Sequence, residues 1–398
     1  MPGFELFGDK EKEQLNEVLE SGVLMRYGFD GMRNGHWKAK ELEKALEERM
    51  GVNHAQLVSS GTAALTVALA CAGVGAGDEV ILPTFTFVAS FEAVLSVGAV
   101  PILVDVDDTL TLDPVAVEKA VTDRTKVIMP VHMCGSTADL APLKSICTQH
   151  DLILLEDACQ AIGGSYEGKP LGSYGDLGCF SFDYVKTITC GEGGAVITNN
   201  KDYYIHADQY SDHGHDHIGS DRGAEGHPIL GYNYRISELH AAVGLAQIAR
   251  LDDFIDIQKK NYTVLRSALA EIPQVSFRRV PENGTENYSF LNFYMPTEEM
   301  ARKTIKTLSD NGVDACFYWY DNNWHYYRKW SHLKDLKSLS PLPDQVKKGM
   351  PDYRESDFSR SDHWVGRNIS CLIKLGWTGE EVSERAKKMA ESIRSVLG

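Results

Sequence analysis
Ser181-Phe182-Asp183-Tyr184-Val185-Lys186 runs straight into Thr187-Ile188-Thr189-Cys190-Gly191-Glu192-Gly193-Gly194. A lysine thus enters a glycine-rich turn directly after an apolar run. An amine held in a partly desolvated site loses its proton easily and attacks a carbonyl to form an imine. Most lysines are solvated surface groups, so Lys186 gains weight from what lies one strand–loop–strand unit upstream. There Leu154-Leu155-Glu156-Asp157-Ala158-Cys159-Gln160 ends an apolar run in an acidic pair. A carboxylate at that position either caps the next helix or pairs with a protonated ring nitrogen, which makes an aromatic ring an electron sink. A third candidate is Ser59-Ser60-Gly61-Thr62-Ala63-Ala64-Leu65. Gly61 permits close backbone approach, and Thr62 opens a helix whose free N–H groups suit a phosphate; a Ser or Thr there also serves simply as a cap.

These residues need a scaffold, and the flanking pattern supplies one. Ala55–Val58, Glu79–Leu82, Val100–Val104, Lys126–Val131 and Leu152–Leu155 read as strands. Thr62–Ala72, Phe87–Val97 and Leu140–His150 read as helices between them. Continuous apolar strands alternating with helices imply an α/β fold with a mostly parallel sheet covered on both faces, its ligands at the carboxyl ends of the strands. Gly178–Phe182 and Gly194–Thr198 are two further β runs, and the polar Asp183–Gly193 segment between them reads as a loop carrying function. Ser237–Ile248 is a helix, and a longer one follows through Leu269. Beyond Pro273 short β runs (Val275–Arg278, Phe290–Tyr294, Cys316–Tyr320, Ile369–Leu372) sit beside helices (Thr297–Asp310, Gly379–Val396). This predicts a large domain over residues 1–250 with an N-terminal helical segment, and a smaller C-terminal α+β domain over 251–398. Residues 321–362, rich in Trp, Tyr, Lys and Pro, give no assignable pattern.

Length and composition bound the rest. The 398 residues carry a formal net charge of −16, which argues against sequence-independent nucleic-acid binding. An anionic substrate would need local cations. The first residues lack the basic and apolar regions of a secretory signal, and the apolar runs are strand-length, far short of a membrane span. Eight cysteines show no CxxC and no zinc-ligand spacing. Scattered free thiols suit a reducing cytoplasm, and each also reads simply as a small buried residue. Asp212-His213-Gly214-His215-Asp216-His217 has the residue types of a metal site, but a loop over the active site, with His215 meeting an anion, or a plain solvated loop fits it better.

Taken together, the motifs resemble the fold-type I sugar aminotransferases of the DegT/DnrJ/EryC1/StrS group, which use pyridoxal 5′-phosphate (PLP). Ser60 to Leu65, Thr86-Phe87-Val88-Ala89, Glu156 to Gln160, Ser181 to Lys186 and Tyr232-Asn233-Tyr234-Arg235 occur in the family's order, and the match runs over nearly the whole chain. The resemblance implies a fold like that of aspartate aminotransferase. It implies that Lys186 forms the internal aldimine and later moves the proton. Asp157 would pair with the pyridine nitrogen, and Gln160 would approach the phenolic oxygen. Phe87 would stack on the ring, although plain core packing also accounts for it. Gly61, Thr62 and Ser181 would hold the phosphate, and Asn233 would reach the phosphate of a neighbouring subunit, making a homodimer with shared sites. A His in place of the lysine marks the family's dehydratases; Lys186 argues against that branch.

Some segments depart from the common nucleotide-sugar pattern: Leu24–Asp30, Val131–Ser136, Ser211–His217, and Phe317–Tyr320 with Asn322–Tyr326. They resemble the subfamily that aminates C8 of 3,8-dideoxy-8-oxo-manno-octulosonate, an acidic sugar of bacterial lipopolysaccharide, with L-glutamate as donor. A nucleotide-linked keto-hexose is the nearest alternative substrate, and a non-catalytic PLP-binding regulator a distant one. For a carboxylate-bearing substrate the expected cations are Arg26, His215 and Arg235, with Arg33 and Arg222 behind them. For each arginine a surface or interface salt bridge is an equally good reading.

Overall fold
The computed structural model describes residues 3–219 and 223–398. Arg222 lies outside the described residues. A seven-stranded sheet forms the centre. From edge to edge its strands are His54–Val58, Gly194–Thr198, Leu177–Ser181, Ile153–Asp157, Thr125–Ile128, Glu79–Pro83 and Val100–Val104. Gly194–Thr198 runs antiparallel to both of its neighbours, and the remaining pairings are parallel. The mostly parallel sheet expected from the sequence is therefore observed. Its strands are buried almost throughout, because helices cover both faces.

The Gly61–Cys71 helix is apolar all round and lies within the main core. Ser60 opens it, its Oγ accepting from the Ala63 N–H at 3.0 Å. That is the role of an N-cap, and it relieves one of the N–H groups a helix start leaves unpaired. On the other side of the sheet Leu140, Leu143 and Ile146 of the Leu140–His150 helix pack on Ile81, Val104 and Leu154. The Gly194–Thr198 strand, antiparallel to its neighbours, closes the loop that carries Lys186 back onto the sheet.

The C-terminal part contributes a four-stranded antiparallel sheet, ordered Ser276–Phe277, Phe290–Tyr294, Asn368–Leu372 and Cys316–Phe317. The helices Leu251–Ala270, Glu298–Asp310 and Gly379–Leu397 pack on it around their own core. Two strands expected in this C-terminal part are shorter than predicted, as is Lys126–Val131 in the large sheet, observed as Thr125–Ile128. Val275–Arg278 keeps only Ser276–Phe277, and Cys316–Tyr320 ends at Phe317, where the chain turns into a short 3-10 helix at Trp319–Asp321.

The stretch over 321–362 that gave no pattern folds back against the large sheet. Tyr326, Tyr327, Trp330, Leu333, Tyr353 and Phe358 join the main core. The Tyr353 hydroxyl donates to the Pro101 carbonyl at 2.6 Å and accepts from the Leu103 N–H at 2.9 Å. Short helices and turns carry these aromatics, so no helical or strand period marked them.

Candidate active site
A cavity of about 540 Å³ lies at the carboxyl ends of the sheet strands. The expected lysine, carboxylate and helix start all line it. Ile153–Asp157 delivers Asp157 to its floor, and alternation along the strand sends Glu156 to the other side. There the Glu156 carboxylate accepts from the N–H groups of Gly172, Tyr174 and Gly175 and from His132 Nε2. His132 Nδ1 accepts from the Ala138 N–H at 3.1 Å, so Nε2 carries the ring proton. The acidic pair thus splits: Glu156 fixes the turn beyond the strand, and Asp157 faces the cavity.

Asp157 is held by two bonds. Its Oδ1 accepts from the Cys159 N–H at 3.2 Å within a turn over 159–163; no helix follows directly, so the helix-cap alternative is not what the fold uses. Its Oδ2 accepts from Ser90 Oγ at 2.9 Å, and Ser90 Oγ lies 2.6 Å from Thr86 Oγ1. Asp157 therefore holds the turn after its strand and faces the cavity at once. Ser90 was not foreseen. Its signal was the i, i+4 spacing from Thr86 at a helix start, which is common and carries little weight alone.

Gln160 Oε1 accepts from the Cys134 N–H at 3.0 Å, which leaves its amide NH₂ as the donor toward the cavity. Gly61, Thr62 and Ser181 meet at one end. A Cβ on Gly61 would stand 2.7 Å from Ser181 Cβ, so the backbone of the helix start approaches the serine as only glycine permits. The loop after Ser181 brings Lys186 to the same cavity, with its N–H donating to the Asp183 carbonyl at 3.0 Å. Phe87 lines it too, its ring 5.6 Å from Trp324 and 5.4 Å from His325 between centroids.

Donors at a helix start beside a serine suit a phosphate, a buried carboxylate suits a ring nitrogen, an amide donor suits a phenolate, and an amine completes the set. These residues fit PLP.

The remaining expectations land elsewhere. Arg26 does not line the cavity: it is 4 % exposed, ion-pairs with Glu43 at 2.5 Å and donates to Gln56 Oε1 at 3.1 Å. Arg33, 1 % exposed, donates to the carbonyls of Gly28 and Met25 and lies against Trp37. Neither guanidinium lines this chain's own cavity. Arg235 pairs with Asp212, and His215 pairs with Glu225 at 3.0 Å beside the His227 ring. Neither lines the cavity. Asn233 is exposed and bridges Asp212 outside the cavity. Among the described residues no group of three His, Cys, Asp or Glu side chains is placed to hold a metal. Among them, too, no helix is long and apolar enough to cross a membrane.

The profile of the DegT/DnrJ/EryC1/StrS aminotransferase family matches residues 7–344. The chain belongs to that family. It is 42 % identical over 221 residues to GDP-perosamine synthase of Caulobacter vibrioides, an alignment covering 55 % of this chain and 58 % of that one. It is 37 % identical over 322 residues to 3-amino-5-hydroxybenzoate synthase of Amycolatopsis mediterranei, covering 79 % and 80 %. A crystal structure of 3-amino-5-hydroxybenzoic acid synthase superposes with a TM-score of 0.81 at 31 % identity, over 98 % of this chain and 97 % of that one. The protein is accordingly a PLP-dependent aminotransferase of the sugar-modifying family, with the fold-type I architecture.

Proposed function
We propose that this aminotransferase takes its amino group from L-glutamate and delivers it to the carbonyl of a nucleotide-linked keto-hexose. The observation that supports the reaction is the single cavity shared by Lys186, Asp157, Gln160 and the Gly61–Thr62 helix start. The nucleotide-linked substrate is favoured by the likeness to GDP-perosamine synthases.

PLP, when bound, would supply an electron sink for transamination. In this reading Lys186 would hold the cofactor, and its amine would be the group that moves a proton. Asp157 would face the ring nitrogen, Gln160 would donate to the phenolic oxygen, and Gly61, Thr62 and Ser181 would hold the phosphate. Phe87 and the aromatic wall beyond it exclude water.

A second reading is carried by residues 317–326. This segment resembles the octulosonate-aminating subfamily, and Phe317, Trp319, Asn322, Trp324 and His325 of it wall the cavity. Amination at C8 of 3,8-dideoxy-8-oxo-manno-octulosonate would leave the carboxylate at the far end of the sugar, away from a lining without arginine. That product would serve lipopolysaccharide synthesis in the cytoplasm. A coupled assay with glutamate and a panel of keto sugars separates the two. Faster amination of the octulosonate than of any nucleotide-linked keto-hexose overturns the first reading. Lys186→Ala should abolish turnover and the borohydride-fixable yellow cofactor together; turnover at the wild-type rate would refute the site itself.

A further inference from the structure
The aromatic wall of the cavity contains one ring whose proton the surrounding bonds locate. The Trp324 backbone N–H donates to the Asn322 side-chain atom 2.8 Å away. A backbone N–H only donates, so that atom is the carboxamide oxygen. His325 Nδ1 lies 2.9 Å from the same oxygen. An oxygen of this kind only accepts, so Nδ1 carries the proton and the neutral ring has a bare Nε2. Burial, reinforced by the charge of Lys186, pushes the imidazole down to about 3, and the ring is neutral around pH 7. It is also fixed in place. Trp319 lies 4.4 Å from it between centroids, and the His325 carbonyl accepts from the Thr86 N–H at 3.0 Å. Among the described residues Nε2 has no hydrogen-bond partner, and its ring lines the cavity close enough to Lys186 to feel its charge.

We propose that His325 Nε2 accepts a hydrogen bond from a sugar hydroxyl next to the reacting carbonyl, making His325 a specificity-determining residue for the sugar half of the reaction. This rests on the keto-sugar reading above. A bare nitrogen in a desolvated wall stabilises a hydroxyl donor and repels carboxylate oxygens. A keto acid such as 2-oxoglutarate, with a carboxylate on one side of its carbonyl and a methylene on the other, offers that nitrogen no donor. A keto sugar with a hydroxyl beside its carbonyl does. A nucleotide-linked keto-hexose and the octulosonate both meet this requirement, so the inference holds for either. A site built around such an acceptor discriminates against a substrate that leaves it unpaired.

The test uses the PLP holoenzyme and follows the two half-reactions separately by absorbance. One is loading by glutamate, and the other is discharge to the keto sugar that the panel identifies. In His325→Phe, kcat/KM for discharge should fall roughly tenfold further than kcat/KM for loading. A deoxy sugar lacking the adjacent hydroxyl should lose a similar factor on wild-type enzyme, which needs no variant to fold. His325→Phe acting on the deoxy sugar should lose little more than either change alone. Equal losses in both half-reactions, no loss with the deoxy sugar, or fully additive losses would overturn the proposal. If wild-type enzyme loaded by glutamate discharges to 2-oxoglutarate but to no keto sugar, the keto-sugar reading itself falls and takes this inference with it.

Discussion
At the scale of single residues, the site depends on how each charged group is held. Asp157 accepts from Ser90 Oγ, and Ser90 in turn leans on Thr86. The Ser90 hydroxyl thus fixes the orientation of the carboxylate that would face a protonated ring nitrogen. Ser90→Ala removes a bond to a charged group, so the apoenzyme should bind PLP about tenfold more weakly in an absorbance titration, with the fold intact by circular dichroism. Unchanged affinity would assign Asp157's hold to the Cys159 N–H alone. His325 makes a second prediction. Its folded value of about 3 lies below the ordinary 6.5. The unfolded chain therefore takes up a proton first as pH falls, and the stability His325 contributes is complete above pH 6.5 and drains between there and 3. His325→Phe should lose less stability than wild type between pH 6.5 and 4 in urea titrations. A parallel decline of the two proteins would contradict the assignment.

At the scale of elements, the Gly61–Cys71 helix shows propensity and packing in conflict. On helix propensity alone Gly61→Ala would stabilise by up to about 1 kcal/mol. The new Cβ would stand 2.7 Å from Ser181 Cβ and 3.2 Å from Cys159 Sγ, atoms fixed on neighbouring segments of the sheet end. Strand and helix start must move apart to admit it. Gly61→Ala is therefore expected to lower Tm and weaken PLP binding together. A raised Tm with unchanged affinity would show that the contact relaxes at no cost. The aromatic segment after Phe317 is the other element that matters. Its backbone pairs with the chain around Phe87: the Thr86 and Val88 N–H groups donate to the His325 and Trp324 carbonyls at 3.0 and 2.9 Å. Through this pairing the C-terminal part supplies one wall of a cavity floored by the large sheet.

At the scale of the whole molecule, the exposed surface carries the remaining expectations. Asn233 is exposed, and Phe29, Met32, Tyr184, Val185 and Tyr232 leave more than half of their area open. Apolar side chains left open in this way are available for burial against a second copy. We propose a homodimer in which Asn233 completes the partner's phosphate site. Lys186→Ala and Asn233→Ala chains, each impaired alone, should regain activity on mixing, because hybrid dimers hold one site free of both lesions. No recovery in mixtures shown to exchange subunits, or a fully active monomer in sedimentation, would refute this. We further propose the division into residues 1–250 and 251–398, with the aromatic stretch inside 321–362 packed back on the large unit.

The sequence by itself determined the strand–helix alternation, and with it the mostly parallel sheet and the end of that sheet where Lys186 and Asp157 face the same cavity. Those features follow from local rules: apolar runs of strand length, caps, and glycine where backbone must approach closely. Only the tertiary structure decided which charged residues were free to act. Arg26 and Arg33 read as substrate cations in one dimension, but in the fold Arg26 pairs with Glu43 and donates to Gln56, and Arg33 donates to the Gly28 and Met25 carbonyls beside Glu238. Ser90 and the aromatic wall were hidden for the same reason. Their meaning comes from contacts between segments distant in sequence, such as Ser90 with Asp157 and Thr86 with His325. No periodicity encodes such a contact, because it exists only once the sheet has brought the two segments to one end.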